Sequence, residues 1–177
     1  GDYPSRSQAT HLGSHMWGNL TGTLPSVFTL SAIIWPTTPK KPGQGVLALM
    51  DSDRANIAAL EIGPKGAGFR GVWVGTHLER WRWYHLKAEI DTTRKTVRVL
   101  QIKLETGEIA VTEGPYNDDL KLDLVTGVSI ATSDPSDRAA HFNGKIEAPK
   151  ILENEETLAI WNFFQNMSSM TIPGVGP

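Results

Sequence analysis

Short runs of alternating apolar and polar residues dominate this sequence, and Gly, Pro or Asp residues end each run. Residues 28–35 form such a run, which ends at Pro36 and the turn-forming segment TTPKKPGQG. Further runs cover 46–50, 57–62, 69–74, 83–90, 97–104, 109–112, 128–131 and 141–152. Period-two alternation is typical of strands that bury one face, and strands that recur roughly every 10 residues indicate an antiparallel sandwich or barrel.

The pattern therefore predicts an all-β fold, a two-sheet antiparallel jelly-roll sandwich. Residues 51–60 could form a short helical turn, and residues 155–164 fit period 2 and period 3.6 equally well; we assign the latter to a strand. We expect residues 1–165 to form a single β-sandwich domain and residues 166–177 to form a tail or linker toward a missing downstream catalytic domain. The predicted core residues are Phe28, Leu30, Leu47, Ile62, Trp83, Leu86, Val99 and Ile146.

Composition narrows the classes of function. The 177 residues carry a net charge of −2, so they offer no basic field for a phosphate backbone and we expect no nucleic-acid partner. The absence of cysteine excludes disulfides and thiolate sites, and it fits a cytoplasmic location. No apolar run approaches the roughly 20 residues of a membrane helix, so no membrane partner is expected. The chain starts without Met or a signal peptide, and we expect it to be part of a longer protein. The segment 13–16 (GSHM) looks like an expression-tag remnant, but we take it as native.

Paired carboxylates at positions i and i+2 of a strand would point into one cleft, as in sandwich glycoside hydrolases. Glu89 and Asp91 have this spacing. A third acid would follow two or three residues later, where the sequence has Thr93 and Arg94. The pair also lies where a strand enters a turn, so a solvated hairpin end is the favoured interpretation. No G-x-S-x-G segment supplies a nucleophile either.

Metal ligands are sparse. His11 and His15 are four residues apart and could bind a metal weakly, although two surface histidines are the simpler interpretation. Asp51 and Asp53 are the candidate calcium ligands, and Asp118 and Asp119 lie in another loop. Calcium needs six to eight oxygen ligands, so we favour a solvated turn for Asp51 and Asp53.

Aromatic residues cluster at Trp73, Trp81, Trp83 and Tyr84. Trp81 and Trp83 would share a face if their strand began early. Exposed indoles could stack on sugar rings. They could equally pack in the core or anchor a protein interface, and we favour core or docking over sugar binding.

Three segments resemble concanavalin A-like and laminin G-like domains. Residues 28–39 (FTLSAIIWPTTP) are similar to the first core strand of these domains, residues 80–91 (RWRWYHLKAEID) to a later Trp-x-His strand, and residues 142–152 (FNGKIEAPKIL) to the closing strand. Their order and spacing agree with that family.

A narrower resemblance covers nearly the whole chain. Segments 3–18, 34–45, 142–152 and 158–169, with the final GVGP, resemble the N-terminal region of the large (beta) subunit of the N,N-dimethylformamidase family. The sequence departs from that pattern at Asn162, where Asp is usual, at Phe164, where Ser is usual, and at Trp17, where smaller residues are usual.

The resemblance implies a parent enzyme that hydrolyses small N-substituted formamides. It also implies an iron site held by Tyr and Glu in a downstream domain, partners in that catalytic domain and a small subunit, and an oligomeric assembly. We therefore predict that this chain alone is not an enzyme but a scaffold or assembly module, with no catalytic residue and no cofactor of its own. The alternatives are a carbohydrate-binding lectin-like module and a sandwich-type glycoside hydrolase.

Overall fold

Alternation of side chains along each strand builds the fold. In the computed structural model, which describes residues 8–10 and 14–161, the strand Tyr84–Asp91 alternates strictly between fully buried and half-buried positions. The described strands are β1 Gln8–Thr10, β2 Met16–Asn19, β3 Val27–Pro36, β4 Gln44–Met50, β5 Asn56–Gly63, β6 Gly66–Phe69, β7 Val72–Trp73, β8 Tyr84–Asp91, β9 Thr96–Lys103, β10 Ile109–Pro115, β11 Gly127–Ile130, β12 Gly144–Glu153 and β13 Glu156–Ile160. Two single-turn 3-10 helices, Leu122–Leu124 and Arg138–Ala140, complete this part of the chain.

The strands form two antiparallel sheets. The seven-stranded sheet has the order β1-β12-β3-β8-β9-β10, and β13 also pairs with β12. The six-stranded sheet has the order β2-β11-β4-β5-β6-β7. The predicted all-β, two-sheet jelly-roll sandwich is therefore confirmed.

The core lies between the two sheets, and the predicted core residues are almost all there. Phe28, Leu30, Leu47, Ile62, Leu86, Val99 and Ile146 are all at most 1% exposed. Trp83 is the exception, so this part of the prediction is wrong. Trp83 precedes β8 and is only half-buried, because Tyr84, Leu86 and every second residue after them face the core and position 83 is out of phase with them.

One polar side chain crosses the interior between the sheets. Gln101 of β9 is 4% exposed, and its Oε1 accepts a hydrogen bond from the backbone N–H of Ala67 in β6 (3.0 Å). Its Nε2 donates to the carbonyl of Thr76 (3.2 Å). A buried amide needs such partners, and here they join the two layers.

Most predicted runs correspond to strands whose ends differ from the prediction by up to three residues, while β1 and β2 lie outside the predicted runs. The single strand expected over 69–74 is wrong, because Arg70 and Gly71 both adopt positive φ and turn the chain between β6 and β7. Residues 51–60 contain a turn followed by β5 and no helix. Within the ambiguous segment 155–164, residues 156–160 form β13, which agrees with the strand assignment. Residues 162–164 and the expected tail 166–177 lie outside the described residues.

Candidate functional site

The aromatic candidates lie on different structural elements. Trp73 belongs to β7 at an edge of the six-stranded sheet, whereas Trp81 and Trp83 lie in the loop before β8. The Tyr84 ring points inward, is 3% exposed, and its hydroxyl accepts a hydrogen bond from the backbone N–H of Glu79 (3.0 Å). Because β8 starts at Tyr84, the expected shared face of Trp81 and Trp83 is not formed by that strand.

Trp73 packs on the outer face of the six-stranded sheet. It pairs with Gly68, where a Cβ would overlap the indole carbon Cε3. At the other edge of this sheet Trp17 lies against Gly127 in the same way and packs with Ala48 and Met50. Small residues under both rings let the indoles lie flat on the backbone, so these two tryptophans serve packing.

Trp81 is the aromatic candidate that stays well exposed, at 54%. Its φ is +60°, a conformation that is rare for a bulky residue, and its backbone N–H donates to the carbonyl of Pro36 (2.9 Å). The guanidinium of Arg80 lies over its ring, 4.5 Å from the centroid. The surrounding turn therefore presents an exposed indole at some cost in backbone strain.

A cavity lies beside this turn, and we call it the end pocket. Its volume is about 640 Å³, and it is lined by residues 37–41 and 77–80. Both segments connect one sheet to the other: the first joins β3 to β4, and the second belongs to the link from β7 to β8. Ile34 of β3 pairs with Tyr84 of β8, which brings these two connections to the same end of the sandwich.

Gln44 makes the first wall of the end pocket rigid. This residue is fully buried, and its Nε2 donates to the carbonyls of Thr38 (2.8 Å) and Lys41 (2.9 Å). Its Oε1 accepts from the backbone N–H of Asn143 (3.2 Å). Thr37 adds a backbone bond to the carbonyl of Asn143 (2.9 Å), so the loop is fixed on both sides.

The rim of the end pocket is positively charged. Lys40, Lys41 and Arg80 line it, and Glu79 is its one carboxylate. Lys103 Nζ donates to Glu79 Oε1 at 2.6 Å, and this hydrogen bond lowers the pKa of the Glu79 carboxyl below its ordinary value. The acid on the rim is thus already paired, which leaves a cationic rim on a chain whose net charge is −2.

The calcium candidates lie in the hairpin turn between β4 and β5. Asp51 Oδ1 accepts hydrogen bonds from the backbone N–H groups of Asp53 (2.9 Å) and Ala55 (2.8 Å), which is a structural use of that carboxylate. Within residues 14–161 no three His, Cys, Asp or Glu side chains are grouped so as to hold a metal ion. A calcium site at Asp51 and Asp53 stays a prediction.

The carboxylate pair on β8 faces away from the core. Glu89 accepts a hydrogen bond from Arg98 on β9 (3.2 Å), and Asp91 is 3.7 Å from the guanidinium of Arg94 in the following turn. Each acid is thus neutralised by its own arginine on the outer face of the seven-stranded sheet, as the solvated-hairpin interpretation expects.

Two titratable groups escaped the sequence analysis. The Glu61 carboxyl, on the outer face of β5, lines a second cavity with Arg70 and Asp118, and burial raises its pKa. His85 Nε2 is 2.8 Å from the hydroxyl of Ser31, but Ser31 is fully buried and is not accessible as a nucleophile. Ser31 and His85 lie on different strands, and the residues around Glu61 come from separate segments, so no spacing in the sequence could reveal these environments.

For the histidine pair, two surface residues are the simpler interpretation and weak metal binding the alternative, and the described residues include only His15. His11 lies outside the described residues. The His15 ring packs edge-on against His141, with ring centroids 5.5 Å apart. His141 is 1% exposed, which places this contact at the border of the core.

An apolar strip crosses the outer face of the seven-stranded sheet. Ile102 pairs with Ile109, and Leu100 pairs with Val111 in the next row. Ile109 is 59% exposed and Val111 is 48% exposed. Contiguous apolar residues on the solvent side of a sheet often mark a surface that contacts another protein, and this strip has that character.

Comparison with curated proteins gives two similar sequences. The beta subunit of N,N-dimethylformamidase from Paracoccus aminophilus is 26% identical over 90% of this chain. The subunit of that name from an Alcaligenes species is 26% identical over 85% of it. The resemblance to the dimethylformamidase beta subunit is confirmed. This chain spans about a quarter of the length of these beta subunits (26% and 24%), and no protein-family model matches it.

Solved structures confirm the fold. A protein from Bacteroides ovatus that is described as carbohydrate binding superposes with a TM-score of 0.60 at 15% identity, over 91% of this chain and 52% of that one. The LG1-3 region of the laminin alpha2 chain gives a TM-score of 0.56 at 9% identity, over 89% and 30%. At such identities these similarities establish the laminin G-like sandwich alone.

Proposed function

We propose that this chain is a non-catalytic assembly module of an N,N-dimethylformamidase-type amide hydrolase. The observation that carries the proposal is the unequal coverage: the similarity includes 90% of this chain but only 26% of the Paracoccus aminophilus beta subunit. The hydrolysis of a small N-substituted formamide is then assigned to the remaining three quarters of such a subunit. The iron site of the parent enzyme is assigned to the same remaining part of the subunit.

The arrangement of the described residues supports this assignment. The Glu89 and Asp91 carboxylates are each paired with an arginine, and Ser31 is buried. Residues 14–161 also lack a three-residue metal cluster of His, Cys, Asp or Glu. The exposed features are of another kind, an indole beside a cationic pocket and an apolar strip on a sheet, and both suit contact with protein.

The expected partners are the catalytic part of the large subunit and the small subunit, within an oligomer in the cytoplasm. In the structure, none of the helices formed by residues 14–161 is both long and apolar enough to cross a membrane. The lectin-like alternative needs neighbouring aromatic rings on one face. Trp73 lies in β7 and Trp81 in the loop before β8, so no strand aligns the two rings on a shared face, and we prefer assembly to sugar binding.

The test has two arms. The 177-residue chain is assayed for hydrolysis of N,N-dimethylformamide, and we expect a folded protein without activity. In the second arm the matched region is deleted from the Paracoccus aminophilus beta subunit, and we expect its assembly with the small subunit to fail in size-exclusion chromatography. Activity of the short chain would refute a non-catalytic role, and normal assembly of the truncated subunit would refute the assembly role.

A further inference from the structure

The end pocket is preorganised for contact. Its first wall is held by the buried side chain of Gln44, as described above, and Lys41 Nζ adds a hydrogen bond to the carbonyl of Arg138 (3.1 Å). Its second wall is tied to the first, because Arg80 Nε donates to the carbonyl of Thr37 (2.9 Å). A surface whose loops are already fixed loses little conformational entropy when a partner binds.

Its chemistry is apolar inside and cationic at the rim. Pro39 and Leu78 are buried in the walls, and Lys40 is exposed at the edge. Because Lys103 already neutralises Glu79, the positive charges of Lys40, Lys41 and Arg80 face no free carboxylate among the pocket-lining residues. A partner that enters this pocket would therefore need to bring negative charge.

Trp81 supplies an anchor at the edge of the pocket. It follows the lining residue Arg80 directly, and the Arg80 guanidinium covers one part of its ring. An indole that is 54% exposed gains a large buried area when a partner covers it. Tryptophan and arginine are also the residues that most often dominate interface energies.

We infer that the end pocket and Trp81 form a docking site for an acidic polypeptide segment with at least one apolar side chain. Such a segment would lie in the part of the parent enzyme that this chain does not match. Its carboxylates would pair with the lysines and Arg80, and its apolar side chain would enter between Pro39 and Leu78. This inference rests on the proposed assembly role and adds the surface and the chemistry of the partner.

The experiment uses the full 177-residue chain and three probes. The first is a synthetic peptide of alternating Glu and Leu, the second is the same peptide with Gln in place of Glu, and the third is succinate. Binding is measured by calorimetry, and the site is mapped from backbone amide shifts. We expect the acidic peptide to bind with shifts confined to residues 37–41 and 77–81, and to bind about tenfold more weakly to Lys40→Glu and to Trp81→Ala.

Lys121→Glu is the matched control for charge, since Lys121 is an exposed lysine between β10 and β11 at the opposite end of the sandwich. It should bind the acidic peptide like the parent chain. Equal binding of the Gln peptide, shifts elsewhere on the surface, or no binding would overturn the inference. Succinate binding at the same residues, unaffected by Trp81→Ala, would overturn it in favour of a small-anion site.

These results separate the inference from the assembly role. If the peptide does not bind while deletion of the matched region still disrupts the Paracoccus aminophilus subunit, the docking site is wrong and the assembly role stands. If the peptide binds at the end pocket while the truncated subunit assembles normally, the pocket is an acidic-peptide site that serves something other than assembly of this enzyme.

Discussion

The indole ring of Trp73 lies over the backbone of Gly68, its partner across β6 and β7, so closely that no side chain fits between them. We predict that Gly68→Ala destabilises the sandwich by about 1–3 kcal/mol, because the new methyl group must displace the ring. Chemical denaturation measures this cost. Gly114→Ala is the control, since a Cβ there meets Val72 at an ordinary 3.7 Å.

A double substitution tests whether overlap with the Trp73 ring causes the loss of stability in Gly68→Ala. If ring overlap is responsible, adding Gly68→Ala to a Trp73→Ala chain should cost much less than it does in the parent chain. Equal costs in both backgrounds would contradict this account and would point to a backbone effect at Gly68.

The second prediction concerns Gln44 and Gln101, whose side chains are both buried. Gln44→Met should cost about 2 kcal/mol or more, because the Asn143 N–H and the loop carbonyls lose a buried partner. Gln101→Met is the matched change, and its lost partner is the Ala67 N–H. Hydrogen exchange should accelerate at Asn143 in the first variant and at Ala67 in the second. Acceleration at neither amide would show that these side chains do not hold their loops.

The third prediction is a pH dependence of stability. Burial, followed by the charges of Lys87 and Lys150, lowers the pKa of His85 from 6.5 to about 4, although Glu155 acts in the opposite sense. The unfolded chain therefore takes up this proton first as the pH falls. The contribution of a neutral His85 is complete above about pH 6.5 and is lost progressively toward pH 4.

His85→Gln should remove that part of the pH dependence. We expect the parent chain to lose more stability than the variant between neutral pH and about pH 4.5, as measured by urea midpoints at each pH. His77→Gln, which changes an exposed histidine, should behave like the parent chain. Parallel profiles for the parent and His85→Gln would contradict the lowered pKa.

The fourth prediction distinguishes two roles for Asp51, which are stabilisation of the turn and calcium binding. Asp51→Ala should cost about 1 kcal/mol through loss of its bonds to the backbone N–H groups of Asp53 and Ala55. If the carboxylate serves only the turn, this cost is equal in EDTA and in calcium chloride. A melting temperature of the parent chain that rises with calcium, and no longer does so in Asp51→Ala, would instead establish the predicted metal site.

Local pattern was sufficient to place most strands. The β3 and β8 segments follow period 2 with one apolar face, and a strand with such a face must cover it with a second layer. The pattern failed at 69–74 because Arg70 adopts positive φ and splits β6 from β7. Its guanidinium donates to the carbonyls of Ile57 and Asn117, which are distant in sequence and give no local signal. The pattern also failed at Trp83 because even-numbered positions of β8, including Leu86, face the core, and position 83 is out of phase with them.

For the candidate site, local sequence pattern predicted less than it did for the strands. Sequence could indicate that Trp81 is near turn residues and that its neighbours are basic, but it could not show which loops meet. The end pocket joins segments 37–41 and 77–80, which are about 40 positions apart and meet because β3 and β8 are antiparallel neighbours.

Alternation and short motifs are local properties of the chain, and they were sufficient to predict the layered all-β architecture, seven of the eight proposed core residues and the resemblance to the dimethylformamidase beta subunit. Only the tertiary structure decided that Trp73 and Trp17 lie on glycines, that Glu79 is neutralised by Lys103, and that Trp81 stays exposed beside a cationic pocket. Those properties depend on strand pairing and on crossovers between the sheets, which bring together residues whose separation along the chain carries no signal.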